Sequence, residues 1–422
     1  MLKRKIINIM PFCPPYDLYW NDPRPRVNWD VPNGQWVGIW EYDWLNQIGT
    51  EVLMLTDDFV FEIWQPDYRA DRVYSHTFPD GLVHRLFPAI GRKQMYGVKR
   101  IVFPQSESMM TYLVKEIQTS NILVRVMAMD KGIARDILRI PINFPCIGQF
   151  WGEFSSPIRH LHRFQKNIPA KLHDVREHFI LKKLLSRVGY FTCCDEYSRK
   201  NIMMYTKNEI ISLSIGINFD FWTPRKQKMR VRAKLGLNNK QKIFLSSARL
   251  VDAKQVDKVI STLNKLDKDH DFVYIVTGHG DEAYERYLSK LGAGLLKKGK
   301  LLFTGYIREK ELFDYYTAAD LFIMSSLSEA GPTATIIALA MGVPVFSTAT
   351  GQMAEVLVRH GAGDVVPKKG YKVWERELRE ILCGKKVDVL DRDIVKPIHH
   401  WPCVAEQYID LYRRVFREYC EY

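Results

Sequence analysis

The sequence predicts an α/β chain of two Rossmann-like, doubly wound domains, and three observations carry that prediction. At 422 residues the chain exceeds one ordinary domain, which holds about 100–150 residues. Its second half alternates short apolar runs with amphipathic segments of about ten to fifteen residues, as parallel βαβ units do. The runs are apolar on both faces, as strands covered by helices on both sides of a sheet must be.

The elements of the second half follow in order. "KIFLSSARL" (242–250) is a strand, and 257–266 carries apolar residues at helical spacing. "FVYIV" (272–276) is a strand ending at Gly278-His279-Gly280, followed by a helix over 283–296. Residues 301–304 form a short strand, and 309–319 a helix whose acid-rich start suits its dipole. A strand over 321–324, a helix over 333–341, a strand over 344–347 and a helix over 352–360 complete the pattern, with Gly361 stopping the last helix. In the first half, 5–10, 51–56, 99–103, 142–147, 190–192 and 209–215 are expected strands and 36–48 an expected helix. The junction is placed near 216–224. Residues 401–422 form a long amphipathic helix rich in Tyr and Arg.

Composition narrows the classes of function. Hydrophobic residues make up 46% and charged residues 26%, which describes a folded chain and not a disordered one. No stretch reaches the roughly 18 apolar residues of a membrane span, and the opening "MLKRKIINIMPFCPPYD" has too short an apolar part for a secretory leader. A cytoplasmic chain, or one peripheral to a membrane, is expected. Seven cysteines (Cys13, Cys146, Cys193, Cys194, Cys383, Cys403, Cys420) show no C-x-x-C spacing. Reduced, buried thiols are expected, and neither a disulfide framework nor a zinc site.

The formal net charge is +13, unevenly spread. Residues 225–242 hold eight basic residues and no acid. Residues 158–187 set Arg159, Arg163, Lys166, Lys171, Arg176, Lys182, Lys183 and Arg187 against Asp174 and Glu177. Such clusters suit an anionic partner (nucleic acid, an anionic membrane surface or a phosphorylated substrate), or they are solvated helix faces.

Three loops carry chemistry. Arg249 and Lys254 in "ARLVDAK" follow the first strand of the second domain, and two cations in a strand-to-helix loop suit a diphosphate. Gly278 and Gly280 let backbone approach a ligand, or make a tight turn. Glu329 follows Ser325, Ser326 and Ser328, just before Gly331-Pro332-Thr333 opens a helix. Thr333 can cap that helix, whose free amides form an anion site. A carboxylate there can accept hydrogen bonds from sugar hydroxyls, or it is a surface acid.

The succession "ARLVDAK", "IVTGHG", "LFTGY", "ELFDYYTAADLFIMSSLSEAGPTATIIALAMGVPVF" and "GQMAEVL", preceded by "SIGINFDFWTPRKQKMRVRAKLGL", resembles family 4 of the retaining, nucleotide-sugar-dependent glycosyltransferases of the GT-B fold. The likeness covers about 206–422. The first half matches in outline, through "PPY", Gly34 before a helix, and "CCDEYSRK".

The resemblance implies two domains facing across a cleft. Residues 1–205 would bind the acceptor, 206–400 would bind the donor, and the helix 401–422 would cross back onto the first domain. Arg249 and Lys254 would neutralise the donor diphosphate, and Glu329 would contact donor-sugar hydroxyls. The amides near Gly331 to Thr333 would hold the sugar and phosphate end. Gly278 and Gly280 would pass near the base, and Gly34 near the diphosphate. The co-substrate would be a nucleoside-diphosphate sugar, with no other cofactor and no metal.

Two positions depart from the family pattern. A second Glu usual eight residues after the first is here Ile337, and a histidine usual in the first domain is absent from "IGQFWGEF". Gln149, Trp151 and Glu153 of that stretch are the candidate acceptor-binding residues. The tryptophans Trp20, Trp29, Trp36, Trp40, Trp44 and Trp64 could stack a sugar or base, or pack the core. The expected acceptor is a glycan or lipid-linked molecule at a membrane surface. A DNA-modifying sugar transferase and a non-catalytic nucleotide-sugar binder are the alternatives.

Overall fold

The computed structural model describes residues 4–10, 44–68, 70–96, 99–127, 132–150, 154, 157, 168–225 and 227–420. The chain divides into two compact units. The first holds most residues up to Ile215 and those from Trp401 on, and the second is Gly216–His400.

In unit 1 the described elements are β1 (Arg4–Ile9), α1 (Trp44–Leu55), β2 (Phe59–Asp67), β3 (Tyr74–Thr77), β4 (Val83–Pro88), β5 (Ile90–Tyr96), β6 (Lys99–Gln105) and α2 (Glu107–Thr119). They continue with β7 (Ile122–Met127), α3 (Gly132–Ile137), β8 (Cys146–Phe150), α4 (Ile168–Leu185), β9 (Tyr190–Cys193), α5 (Glu196–Ile202) and β10 (Ile210–Ser212). Eight strands form one sheet in the order β10-β9-β8-β7-β1-β2-β4-β3, parallel except for β3 against β4. Because β10 pairs with β9, residues 206–215 pack with unit 1, and not beyond the boundary drawn at 205.

The expected strand 51–56 is corrected: residues 51–55 lie in α1, where Ile48 and Val52, four apart, are buried while Met54 is exposed. An apolar run as short as "EVLML" fits either period, and tertiary burial chose the helix. The next strand is β2, which the sequence reading omitted. Residues 99–103 do form a strand, but in a separate antiparallel hairpin of β5 and β6. Residues 142–145 are not strand, and β8 begins at Cys146.

Unit 2 runs α6 (Lys228–Lys234), β11 (Lys242–Ser247), α7 (Val256–Leu266), β12 (Phe272–Thr277), α8 (Glu282–Leu291), α9 (Ala293–Lys297), β13 (Leu301–Gly305) and α10 (Glu309–Ala318). It ends with β14 (Leu321–Met324), α11 (Thr333–Ala340), β15 (Val345–Thr348), α12 (Gly351–His360), β16 (Asp364–Val366), α13 (Tyr371–Leu382) and α14 (Arg392–His399). The sheet is six-stranded, all parallel, in the order β13-β12-β11-β14-β15-β16. This is the doubly wound order, in which the chain turns back between β11 and β14.

Alternation divides the core into two layers. Ile243, Leu245, Val273 and Ile275 pack on one face, and Phe244, Tyr274, Val276 and Ile323 on the other. Helix α7 buries Val256, Val259, Ile260, Leu263 and Leu266 at helical spacing. The single helix expected over 283–296 breaks at Gly292, where a Cβ would lie 2.3 Å from Leu301 Cδ2. Gly361, at φ +62°, ends α12.

Three of the eight basic residues in 225–242 are taken up internally. Lys228 and Arg232 each sit 2.7 Å from Asp320, and Lys234 sits 2.6 Å from Asp314. Among the cysteines, Cys146, Cys193 and Cys194 are buried free thiols, but Cys383 is exposed and Cys403 half-buried. Burial pushes the Cys146 thiol up to about 12. Among the described residues no helix is long and apolar enough to cross a membrane, and no cluster of His, Cys, Asp and Glu could hold a metal ion.

The last helix, α15 (Trp401–Cys420), belongs to unit 1. It buries Val404, Tyr408, Tyr412, Val415 and Phe416. Tyr412 meets Phe59 edge-on at 5.8 Å.

Candidate functional site

A cavity of about 330 Å³ opens in unit 2 at the carboxyl ends of β11 and β14, the point where the strand order reverses. Doubly wound sheets bind ligands at this point. Arg249, Lys254, Glu329, Gly331, Pro332 and Thr333 all line it. Six of the residues singled out in the sequence therefore share one enclosure.

Lys254 is set by a short turn. Residues Asp252–Lys254 form one 3₁₀ turn, and Gln255 follows at φ +50°, a left-handed conformation that costs a non-glycine residue about 1–2 kcal/mol. That residue both ends the turn and starts α7. The turn is tied to the neighbouring loop: Ser325 Oγ donates to the Lys254 carbonyl at 2.7 Å, and Leu327 N to the Ala253 carbonyl at 2.8 Å.

Within that frame the Lys254 ammonium donates to the Glu329 carboxylate. Ser326 Oγ donates to the same oxygen at 2.6 Å, and the Glu329 amide donates to Thr350 Oγ1 at 3.3 Å. Gly351 closes the nest. Its φ is +74°, and a Cβ there would lie 2.9 Å from Glu329 Cβ and 3.0 Å from the Ala330 carbonyl oxygen.

Arg249 is accessible to solvent yet lies in a concave wall. Burial pulls its pKa below the ordinary value, while Glu329 pulls the other way. Its loop is held by the turn after β12. Ala248 N donates to the Thr277 carbonyl at 3.0 Å, Leu250 N to the His279 carbonyl at 3.1 Å, and Asp281 N to the Leu250 carbonyl at 2.9 Å. Gly278 and Gly280 make that contact sterically feasible, since Cβ atoms there would lie 2.1 Å from the Ala248 oxygen and 2.4 Å from the Leu250 oxygen. These two glycines do not line the cavity. They pack against the backbone on either side of Arg249.

Thr333 does not cap α11. The N-cap is Pro332, whose side chain offers no acceptor to the first-turn amides, and Thr333 is the first helical residue. Thr335 N and Ile336 N donate to the Pro332 carbonyl at 2.9 and 3.1 Å, which leaves the amides of Thr333 and Ala334 without an intrahelical partner at the end of α11 that lines the cavity. Ile337, one turn further on, is 8% exposed within the apolar layer below.

Gln149 lies elsewhere. It is fully buried in unit 1, accepts from Arg125 at 2.5 Å, and donates to Tyr408 Oη at 2.9 Å. It joins β8 to α15. Gly34, Trp151, Glu153 and the tryptophans from Trp20 to Trp40 lie outside the described residues, as does the side chain of Trp44.

Sequence reasoning missed Ser326 as the partner of Glu329, and Thr350, Gly351 and Gln255 as the shapers of its nest. Gly351 stood in the quoted "GQMAEVL", and a glycine opening a helix is the one signal that pointed to it. Gln255 gives none.

Parallel sheets and this strand order define a fold shared with GT-B glycosyltransferases. Residues 227–390 match the family model described as glycosyl transferases group 1. An uncharacterized glycosyltransferase of Methanocaldococcus jannaschii is 25% identical over 211 residues, 47% of this chain and 52% of that protein. The chain thus spans about half the length of this curated relative. Among solved structures, sucrose-phosphate synthase from Thermosynechococcus elongatus superposes with a TM-score of 0.68 at 18% identity, over 99% of this chain and 100% of that one. Anabaena HepE, solved in complex with UDP, superposes at 0.64 and 13% identity, over 98% and 100%.

Proposed function

We propose that the chain transfers a sugar, with retention, from a nucleoside diphosphate to a glycan or lipid-linked acceptor, as a family 4 glycosyltransferase. The observation that carries this is the convergence of Arg249, Lys254 and Glu329 on one cavity at the switch point of unit 2. The diphosphate lies against Arg249, Lys254 and the amides opening α11, and the donor sugar turns its hydroxyls to Glu329. The UDP found with the HepE structure supports a nucleotide donor.

As the sugar–phosphate bond breaks, negative charge gathers on the leaving diphosphate. Two preorganised cations and a helix N-terminus meet it without a proton donor. Ser326 keeps one carboxylate oxygen of Glu329 engaged, which fixes its orientation toward the sugar. With Ile337 in the apolar layer, ribose recognition falls to other residues.

A panel of UDP-, GDP- and ADP-sugars tests the donor site. A true donor at 100 times its dissociation constant stabilises the fold by about 2.7 kcal/mol. Donor turnover should then fall roughly 10²- to 10³-fold in Arg249→Ala and in Lys254→Ala. Unchanged turnover in both ends the assignment. Binding without transfer or hydrolysis on long incubation would leave a nucleotide-sugar binder.

A further inference from the structure

Helix α4 is apolar on two faces. Leu181, Leu184 and Leu185 are buried in the core of unit 1. On the other side Ile168, Leu172 and Phe179 are 75%, 65% and 64% exposed. At 3.6 residues per turn these three fall within an arc of roughly 40°, along about 16 Å of helix. Single exposed apolar residues are ordinary, but a row of three on one helix line is a surface feature.

The charges around the row have one sign. Arg176, Lys182 and Lys183 are exposed and flank it, with Lys171 half-buried at its margin. The two acids of the helix turn away. Asp174 is buried, and Glu177 is ion-paired with Arg135 at 2.5 Å. The outward half of α4 therefore carries basic and apolar side chains and no carboxylate.

We infer that this face of α4 docks unit 1 on an anionic lipid bilayer. Apolar side chains reach below the headgroups while flanking cations meet lipid phosphates, as basic and apolar side chains together do at an anionic membrane surface. A polynucleotide would engage the cations and leave Ile168 and Leu172 without a role. A second copy of the chain would set these cations against one another. The inference concerns the surface of unit 1 and does not rest on the donor reading, so its test records partition and not turnover.

The test is sedimentation of the full chain with vesicles of phosphatidylcholine alone or with about one third phosphatidylglycerol. The chain should pellet with the anionic vesicles only, and less so as salt rises. Leu172→Ser with Phe179→Ser, and Lys182→Glu with Lys183→Glu, should each lower partition at least about tenfold. Both should leave the thermal midpoint unchanged, because the altered side chains are exposed. Wild-type protein that stays in the supernatant with both vesicles overturns the proposal, as does either double variant partitioning like wild type. A concentration-dependent dimer that the serine variant abolishes, or tighter binding to polynucleotide than to vesicles, also overturns it.

Discussion

Lys254 and Glu329, 75 positions apart in the chain, are ion-paired inside the cavity of unit 2. Both side chains are mostly buried, at 20% and 14% exposure. On the proposed donor reading, a diphosphate would compete with the carboxylate for the ammonium, and a sugar hydroxyl would donate to Glu329. Lys254→Ala should weaken a nucleotide sugar and the bare nucleoside diphosphate alike, each by roughly tenfold or more, the worth of one charge-assisted hydrogen bond. Glu329→Ala should weaken the nucleotide sugar alone, since the diphosphate then competes with nothing for Lys254. Titration calorimetry with both ligands decides this, and equal losses for both ligands in Glu329→Ala would refute it.

Gly278 acts on Arg249 at one remove. Its φ is +115°, and any Cβ would meet the Ala248 carbonyl at 2.1 Å. That contact is backbone and not a flexible side-chain tip, so the backbone must move. Gly278→Ala should cost roughly 2–3 kcal/mol of stability and also lower donor affinity by shifting the Arg249 loop. Chemical denaturation and donor binding should change together. Stability lost with donor affinity intact would show that the loop does not set Arg249.

That Arg249, Lys254, Glu329 and Gly331 to Thr333 come together was legible because they sit in loops between strongly apolar strands, where the pattern fixes both register and end. β14 and α11 fall within a residue of expectation for that reason. Unit 1 was harder to read. "EVLML" satisfies two periods, and its choice of helix depends on burial against β2 and α15. Gln149 was legible as polar and near a strand end, but not as the partner of Tyr408, which lies 259 positions on. No local pattern encodes such a contact.

Asp320 anchors the basic run to the edge of β11. Burial opposes its ionisation, yet the hydrogen bond from Lys228, the Ile243 amide and Arg232 outweigh burial and hold its pKa below the usual value. A depressed carboxylate stabilises the fold above its unfolded pKa, and that contribution is lost as pH falls through the folded value. Asp320→Asn leaves the buried Arg232 facing a neutral amide, and should cost about 3 kcal/mol at pH 7. The gap between variant and wild type should shrink below about pH 4. Urea unfolding at the two pH values measures it, and a gap that does not vary with pH would contradict the ion-pair account.

Gln149 is expected to matter for stability and not for the acceptor. It stands in a fully buried set with Arg125, Tyr408 and Tyr412. Arg125 donates to Tyr412 Oη at 2.5 Å and lies 4.3 Å from the centre of the Tyr408 ring. Removing one member leaves polar atoms of the others without that partner, at a cost of roughly 1–3 kcal/mol. Gln149→Ala and Tyr412→Phe should therefore lower the thermal midpoint by several degrees, and the double variant should lose less than the sum, because the two act through the same guanidinium. Neither should change the KM for acceptor at temperatures where the variants stay folded. An acceptor KM raised tenfold in Gln149→Ala, with the midpoint unmoved, would instead return Gln149 to the acceptor site.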